Sequence, residues 1–485
     1  MAELEEQRQV RIQKIQTLRA MGIDPFPENS QRTHHCAEIM EHGSMDAIYT
    51  VSGRIRAMRA HGKSMFIDIE DESGVLQIFF SSSEIGEELF KILDYIDLGD
   101  FIEATGSLFI TKTEQKSLRA QTFRILAKAI RPIPDEWFGL KDEETMLRKR
   151  YIDLIVNRDT RHRFQKRSVM ISQIRNFLEL QGSMEVETAM FEHIPGGADA
   201  EPFVTHHNTL DIDLYLRISL ELQLKRLIVG GYEKIHEIGR VFRNEGMSTQ
   251  HLQEFTMLEF YWAYHNLDDL IRVVPQMYQQ VFEHTFCSLQ REYRGTMIDY
   301  SGVWPVQDYQ EMFLHYAGIN LDKYPEKETL LEQVKKMNLK ELDESGGRGR
   351  LIDQVYKKLV RPHLIQPTIL INYPLDLSPL AKKRYNHNTT VHRMQVIIAG
   401  IEVGNGFAEL NDPLDQRERL EEQQRLRDQG DSEAQRLDED FIEALEYGMP
   451  PTAGFGVGID RLFMLGSGVE SVRDVVFFPN MRLKN

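Results

Sequence analysis

Residue types that bind charged ligands concentrate in separated segments of this chain. One segment opens with an arginine and an acid, Arg243-Asn244-Glu245, continues through His251, Glu254 and Phe255, and reaches Glu259 and Tyr261. In two strands joined by a turn, side chains alternate between faces, so Glu259 and Tyr261 share one face. The last segment, GFGVGIDRLFML, sets Arg461 behind a glycine-rich strand, where missing side chains permit close approach of a ligand or of backbone. A single arginine of this kind is ordinarily half of a surface ion pair. Two glycine patterns lead nowhere. Gly62-Lys63-Ser64 looks like the end of a phosphate-binding loop, but Ala57 stands where its first glycine belongs. Gly454, Gly456 and Gly458 lack the GxGxxG strand-turn-helix and downstream acid of a dinucleotide site, which argues against a Rossmann fold.

The elements that must position these residues follow from periodicity. Apolar positions at helical spacing over 3–20, stopped by Gly22, Pro25 and Pro27, predict an N-terminal helix in an extension over 1–48. From Tyr49 the pattern shortens to alternating runs, YTVSGRIRAM, SMFIDIED and GVLQIFF, then the helical IGEELFKILDYI, then GDFIEATGSLFI and RAQTFRILAKAI. Three strands, a helix and two strands is the order of an OB-fold, expected over 49–130. Such barrels bind single-stranded nucleic acid by stacking bases on aromatics, which makes Phe66 a candidate platform, with a barrel-core position as the alternative. RPIPDEWFG marks a linker over 131–144. From 145 to 485 helices alternate with strands without a regular βα rhythm, so an antiparallel sheet flanked by helices is expected. The fold class is α+β, with the charged stretch 413–446 read as a helical surface insertion.

The 485 residues, 41% of them hydrophobic, suffice for two or three domains. Cys36 and Cys287 match no metal-ligand spacing and suggest a reducing, cytoplasmic setting. The first twenty residues carry charge throughout and no run reaches membrane-spanning length. A formal net charge of −17 alone disfavours a nucleic-acid partner. Cations nevertheless cluster over Arg148–Arg167 while acid gathers around 410–446, so a local basic face is compatible with the total.

Together the segments resemble motifs 2 and 3 of class II aminoacyl-tRNA synthetases, and QGSMEVETAMF (181–191) looks like motif 1. The resemblance narrows to the lysine-specific members through IPGGADAEPFVTHHN, LYLRISLELQLKRLIVGGYEKIHEIGRVFRNEG, EFTMLEFYWAY and EVGNGFAELNDP, and it is colinear over essentially the whole chain. It implies a ligase using ATP and Mg²⁺ to join L-lysine to tRNA(Lys), working as a homodimer without a membrane. The implied lysine pocket is lined by Gly197, Glu221, Glu259, Tyr261, Asn405, Phe407 and Glu409. Three carboxylates in one pocket repel one another and desolvate poorly unless a cation pairs with them, which suits an ammonium-bearing amino acid. An aspartate-specific site would need cations instead.

By the same carry-over, Arg243 is expected at the α-phosphate and substrate carboxylate and Arg461 at the γ-phosphate, the two catalytic residues. Glu245, His251 and Phe255 are expected around the nucleotide, with Glu402, Glu409 and Gln395 at the metal. Arg59, Phe66 and Gln77 are the implied anticodon contacts. The chain departs from the family pattern at Ala189, where motif 1 usually has proline, and at Gln395, where many relatives carry a metal-binding glutamate.

Overall fold

The computed structural model describes residues 2–133 and 143–482, apart from 338, 340, 341, 345 and 432. Most of the linker expected over 131–144 therefore lies outside the described residues. The chain divides into two units, Met1–Lys141 and Asp142–Asn485.

In the first unit the predicted N-terminal helix forms as α1 (Ala2–Ala20). The alternating runs become β1 (Ile48–His61), β2 (Ser64–Glu70), β3 (Val75–Ser81), β4 (Phe101–Ile110) and β5 (Lys116–Ala127). They close a barrel in the order β1-β2-β3-β5-β4, in which β3 and β5 run parallel. Alternation sends Ile67, Ile69, Leu76, Ile78 and Phe80 into the barrel core. It therefore turns Phe66 and Phe79 outward, their rings 4.9 Å apart, with Phe109 next at 5.7 Å and the Arg119 guanidinium 4.7 Å over Phe109. Phe66 is thus on the outer face and not in the core.

The second unit carries α2 (Arg158–Leu180), α3 (Glu221–Val229), α4 (Leu267–Phe286), α5 (Pro413–Asp428), α6 (Glu439–Glu446) and α7 (Ile459–Ser467). The strands of its main sheet are β6 (Met184–Glu185), β7 (Lys234–Phe242), β8 (Glu254–Ala263), β9 (Val306–Asp308), β10 (Thr368–Ile371), β11 (Arg393–Ile398), β12 (Ile401–Ala408) and β13 (Thr452–Gly458). Their order is β9-β10-β11-β12-β13-β8-β7-β6. The inner pairs are antiparallel as expected, but the edge pairs β9–β10 and β6–β7 are parallel. Each parallel pair is consecutive in the sheet and joined by a long connection containing helices, the crossover that parallel pairing requires.

One face of this sheet is covered by α4, where Val274, Tyr278 and Phe282 join Phe260, Val396, Val403 and Phe455 in one buried cluster. The other face carries the site. The stretch 413–446 is helical as predicted but is not a mere surface insertion. Leu420 of α5 and Phe441, Ile442 and Leu445 of α6 are buried with Leu222 and Leu224 of α3. The heavy charge of α5 conceals this in the sequence, because few residues supply its buried side, among them Gln416 and Leu420. Phe441→Ala should therefore cost about 3–5 kcal/mol, the scale for a truncated core aromatic. Chemical denaturation measures this, and a surface insertion would show almost no change.

Candidate active site

The uncovered face of the sheet holds a cavity of about 250 Å³. Strand register explains its floor. On β8, Glu259 pairs with Gly456 and Tyr261 with Gly454, while from β12 Asn405 pairs with Gly456 and Phe407 with Gly454. The central strand β13 thus presents only glycine between two functional strands. A Cβ at Gly454 would collide with the Glu409 carboxylate and the Tyr261 ring. Gly197 lies at φ +84, and a Cβ there would stand 3.0 Å from the Cβ atoms of Glu221 and Ser219.

A bulge sets the far wall. Across β11 and β12, Val396 pairs with Gly404 and Ile397 with Glu402, leaving Val403 as the extra residue. Val403 packs into the α4 cluster, where its carbonyl accepts from the Tyr278 hydroxyl at 2.7 Å. Glu402 and Asn405 consequently both line the cavity although they are three positions apart, an odd spacing that regular alternation would put on opposite faces.

At one end of the cavity three carboxylates meet. Glu221 starts α3, and Lys225 follows one turn later with no exposed surface. The Lys225 Nζ lies 2.6 Å from Glu221 Oε1 and 2.5 Å from Glu409 Oε2. Among the described residues Glu259 has only neutral donors: Oε1 accepts from the Ser219 hydroxyl at 2.7 Å and the Leu220 amide at 3.0 Å, and Oε2 from the Tyr261 hydroxyl at 2.8 Å. Burial, reinforced by the charge of Glu221, pushes Glu259 up to about 7 despite these bonds. Burial also raises Glu221 and Glu409 against the pull of Lys225. For Lys225 itself burial favours the neutral form, but the two carboxylates outweigh it and hold the ammonium charged. Three buried acids against Lys225, with Arg393 further off, leave this end short of positive charge, suited to a ligand that brings it.

The other end has the opposite sign. The Arg243 guanidinium sits 5.2 Å over the Phe255 ring and its Nε donates to the Ile218 carbonyl at 3.3 Å. Arg461 donates from Nε to the Gln250 carbonyl at 3.0 Å and from Nη1 to the Glu402 carbonyl at 3.4 Å. His251 is held at 2.8 Å from the Ser248 hydroxyl, and burial together with Arg461, Lys357, Arg361 and Arg243 pushes it down to about 4. It is therefore neutral at neutral pH, amid a concentration of cations that suits a polyanion.

The chain matches the model for tRNA synthetases class II (D, K and N) over residues 142–482, and that for the OB-fold nucleic acid binding domain over 49–126. The chain belongs to the class II tRNA synthetases. It is similar to proteins named lysine–tRNA ligase. That of Thermoanaerobacter pseudethanolicus is 43% identical over 100% of this chain and 97% of the relative. That of Roseiflexus sp. is 45% identical over 99% of both, and that of Staphylococcus epidermidis 42% over 99% of both.

All seven residues implied for the amino-acid pocket line the cavity, as do Arg243, Glu245, His251, Phe255, Arg461 and Glu402. Gln395 does not. It is buried behind the wall, where its amide oxygen accepts from the Tyr373 hydroxyl at 2.7 Å. Glu409, also implied for the metal, faces the Lys225 ammonium instead. Among the described residues no group of three or more His, Cys, Asp or Glu side chains could hold a metal ion. In the first unit, Arg59 stands opposite Phe66 and is ion-paired to Asp68 at 3.0 Å, while buried Gln77 accepts from the Ser117 hydroxyl at 2.9 Å.

Sequence reasoning missed Lys225, Ser219, Asp199 and Arg393. Lys225 was readable as the i+4 partner of Glu221 on one helix. Arg393 donates from Nε to Asn405 Oδ1 at 2.8 Å and lies 5.6 Å over the Phe407 ring, a hairpin contact that no local pattern announces. Lys225→Met should strip the partner from two buried carboxylates and cost about 3–5 kcal/mol in chemical denaturation. Gly454→Ala should cost about 1–3 kcal/mol through overpacking. A fully stable Lys225→Met protein would contradict the charge arrangement described.

Proposed function

We propose that this chain is a lysine–tRNA ligase, which converts L-lysine and ATP to lysyl-adenylate and pyrophosphate and then esterifies lysine to the 3′ end of tRNA(Lys). The observation that carries this is the buried acidic pocket, in which Glu259 forms no ion pair among the described residues, adjoining a cationic cavity end in a class II synthetase. An aspartate-specific site is disfavoured, since an aspartate side chain would bring a fourth carboxylate to Glu221, Glu259 and Glu409 and meet like charge. The names of the relatives point the same way.

In this reading Glu259 and Glu409, with the Tyr261 hydroxyl, receive the side-chain ammonium, and Phe407 packs its methylenes. Phe255 stacks on adenine, while Arg243 binds the substrate carboxylate and α-phosphate and Arg461 the γ-phosphate. The lysine carboxylate forms a new bond to the α-phosphorus as the bond to the β-phosphate oxygen breaks and pyrophosphate leaves. The 3′-hydroxyl of tRNA next attacks the lysyl carbonyl and AMP departs. No covalent enzyme intermediate is involved, so positioning and charge neutralisation do the work. Mg²⁺ would neutralise phosphate charge when bound. Glu402 fits that role because its bulge turns it to the cavity, and the ion's remaining hard oxygens would come from the phosphates, as Mg²⁺ prefers.

The outer aromatic row with Arg59 suits stacked single-stranded bases, here the anticodon. Exposed Met184, Met190 and Phe191, within the motif 1-like segment, suit a homodimer contact. Among the described residues no helix is long and apolar enough to cross a membrane, and the free cysteines Cys36 and Cys287 fit a cytoplasmic setting.

Amino-acid-dependent exchange of pyrophosphate into ATP tests this reading. Lysine should support exchange and aspartate should not; the reverse would overturn the assignment. Glu259→Gln should cost about 2–5 kcal/mol in kcat/KM for lysine with little change in KM for ATP. Phe66→Ala should leave exchange intact and weaken tRNA binding by about 1–3 kcal/mol, measured by filter binding or charging kinetics.

A further inference from the structure

One cation near the nucleotide end has no role in the reading above. Arg361 follows a π-helical turn, Tyr356–Val360, and begins the short 3₁₀ segment Arg361–His363. Such turns interrupt helices preferentially at functional sites. The segment is braced against the β11–β12 turn: the amide of Ala399 donates to the Ile365 carbonyl at 2.7 Å and that of Gly400 to the Leu364 carbonyl at 2.9 Å. A Cβ added at Gly400 would stand only 3.3 Å from Pro362 Cα and 3.4 Å from the Arg361 carbonyl oxygen. Arg361 is thereby anchored against Gly400, two positions before the Glu402 that lines the cavity.

Its side chain is placed for a ligand that the chain does not supply. The Arg361 Nε is buried without a hydrogen-bond partner, and among the described residues Arg361 forms no ion pair. Its neighbour Lys357 differs, being tied to Asp353 at 2.6 Å. The charge of Arg361 reaches both His251 and Arg461, two residues that line the cavity. Burial already works against the charged form of Arg461; Glu402 and Glu245 favour it, while Arg243 and Arg361 add like charge. Three arginines beside two carboxylates, Glu402 and Glu245, leave an excess of positive charge that becomes favourable when a polyanion arrives. Gln395, neutral and bonded to Tyr373, adds no negative charge to this wall.

We infer that Arg361 is a third arginine for the polyphosphate of ATP, binding the β- and γ-phosphate end beside Arg461. It acts on the nucleotide tail and not on lysine or adenine, and it rests on the ATP-dependent reading proposed above. A phosphate of the tRNA acceptor end offers the same chemistry, so the test omits tRNA.

The test measures binding of ATP and of AMP to the full-length protein by calorimetry, in Arg361→Gln, Arg361→Lys and the parent. Arg361→Gln should weaken ATP roughly tenfold or more, the scale of a lost hydrogen bond to a charged group, and leave AMP within about twofold. Arg361→Lys, which keeps the charge and loses the planar fork, should fall between. In exchange kinetics the KM values for ATP and pyrophosphate should rise while the KM for lysine stays put. Equal weakening of ATP and AMP would mark Arg361 as a structural residue and overturn the inference. Unchanged ATP affinity would also overturn it, whatever happens to tRNA charging. If Arg361→Gln does not fold, equal ATP affinity in Arg361→Lys and the parent overturns it, and selective loss of ATP over AMP sustains it. Absence of any lysine-dependent exchange in the parent would instead sink the underlying reading.

Discussion

Buried like charge is the constraint around which the catalytic unit is built. Glu221, Glu259 and Glu409 are drawn from a helix, a strand and the residue just past another strand into one dry pocket, where burial works against the charged form of each. Lys225 relieves two of them and cannot reach all three. On the proposed reading, the remaining deficit gives the pocket its selectivity, because a cationic side chain gains the pairing that the protein withholds. A neutral side chain of similar length would have to enter against desolvated acids without compensating them.

That deficit is separated from an excess of positive charge by the width of one cavity. The separation depends on β13, whose glycines remove three side chains from the face between β8 and β12. It depends equally on the Val403 bulge, which turns Glu402 and Asn405 to the same side. An amino acid has the same polarity, ammonium at one end and carboxylate at the other, and the carboxylate is the group that must meet the α-phosphate. The site therefore orients its substrate by field as well as by shape.

Much of this was legible in the sequence, for reasons that differ by element. The barrel strands were readable because half-buried antiparallel strands alternate strictly, and the same alternation put Phe66 outside once the core positions Ile67 and Ile69 were fixed. Glu259 and Tyr261 on one face followed from the same rule. The parallel edge strands β6 and β9 were not readable, being two and three residues long and defined only by their neighbours. Residues 413–446 misled because charge outnumbers the few buried side chains that anchor them. Gln395 was expected beside the metal from the family resemblance, where many relatives carry a metal-binding glutamate, whereas its bond to Tyr373 is tertiary and leaves no local trace. Family resemblance supplied the site residues, and physical reading of the fold supplied what holds them, Lys225 and Arg393 above all.

The most direct test of this account is the number of protons exchanged when lysine binds, obtained by calorimetry in buffers of differing ionisation enthalpy. Glu259, raised to about 7 in the empty pocket, is largely protonated at pH 6 and must ionise to pair with an ammonium. Binding at pH 6 should therefore release protons from Glu259 and from Glu409, which burial raises to about 8; the release should fade as the pH rises well above 8, and Glu259→Gln should reduce it. Binding of lysine at pH 6 with no proton release would contradict the claim that an uncompensated buried carboxylate selects the substrate.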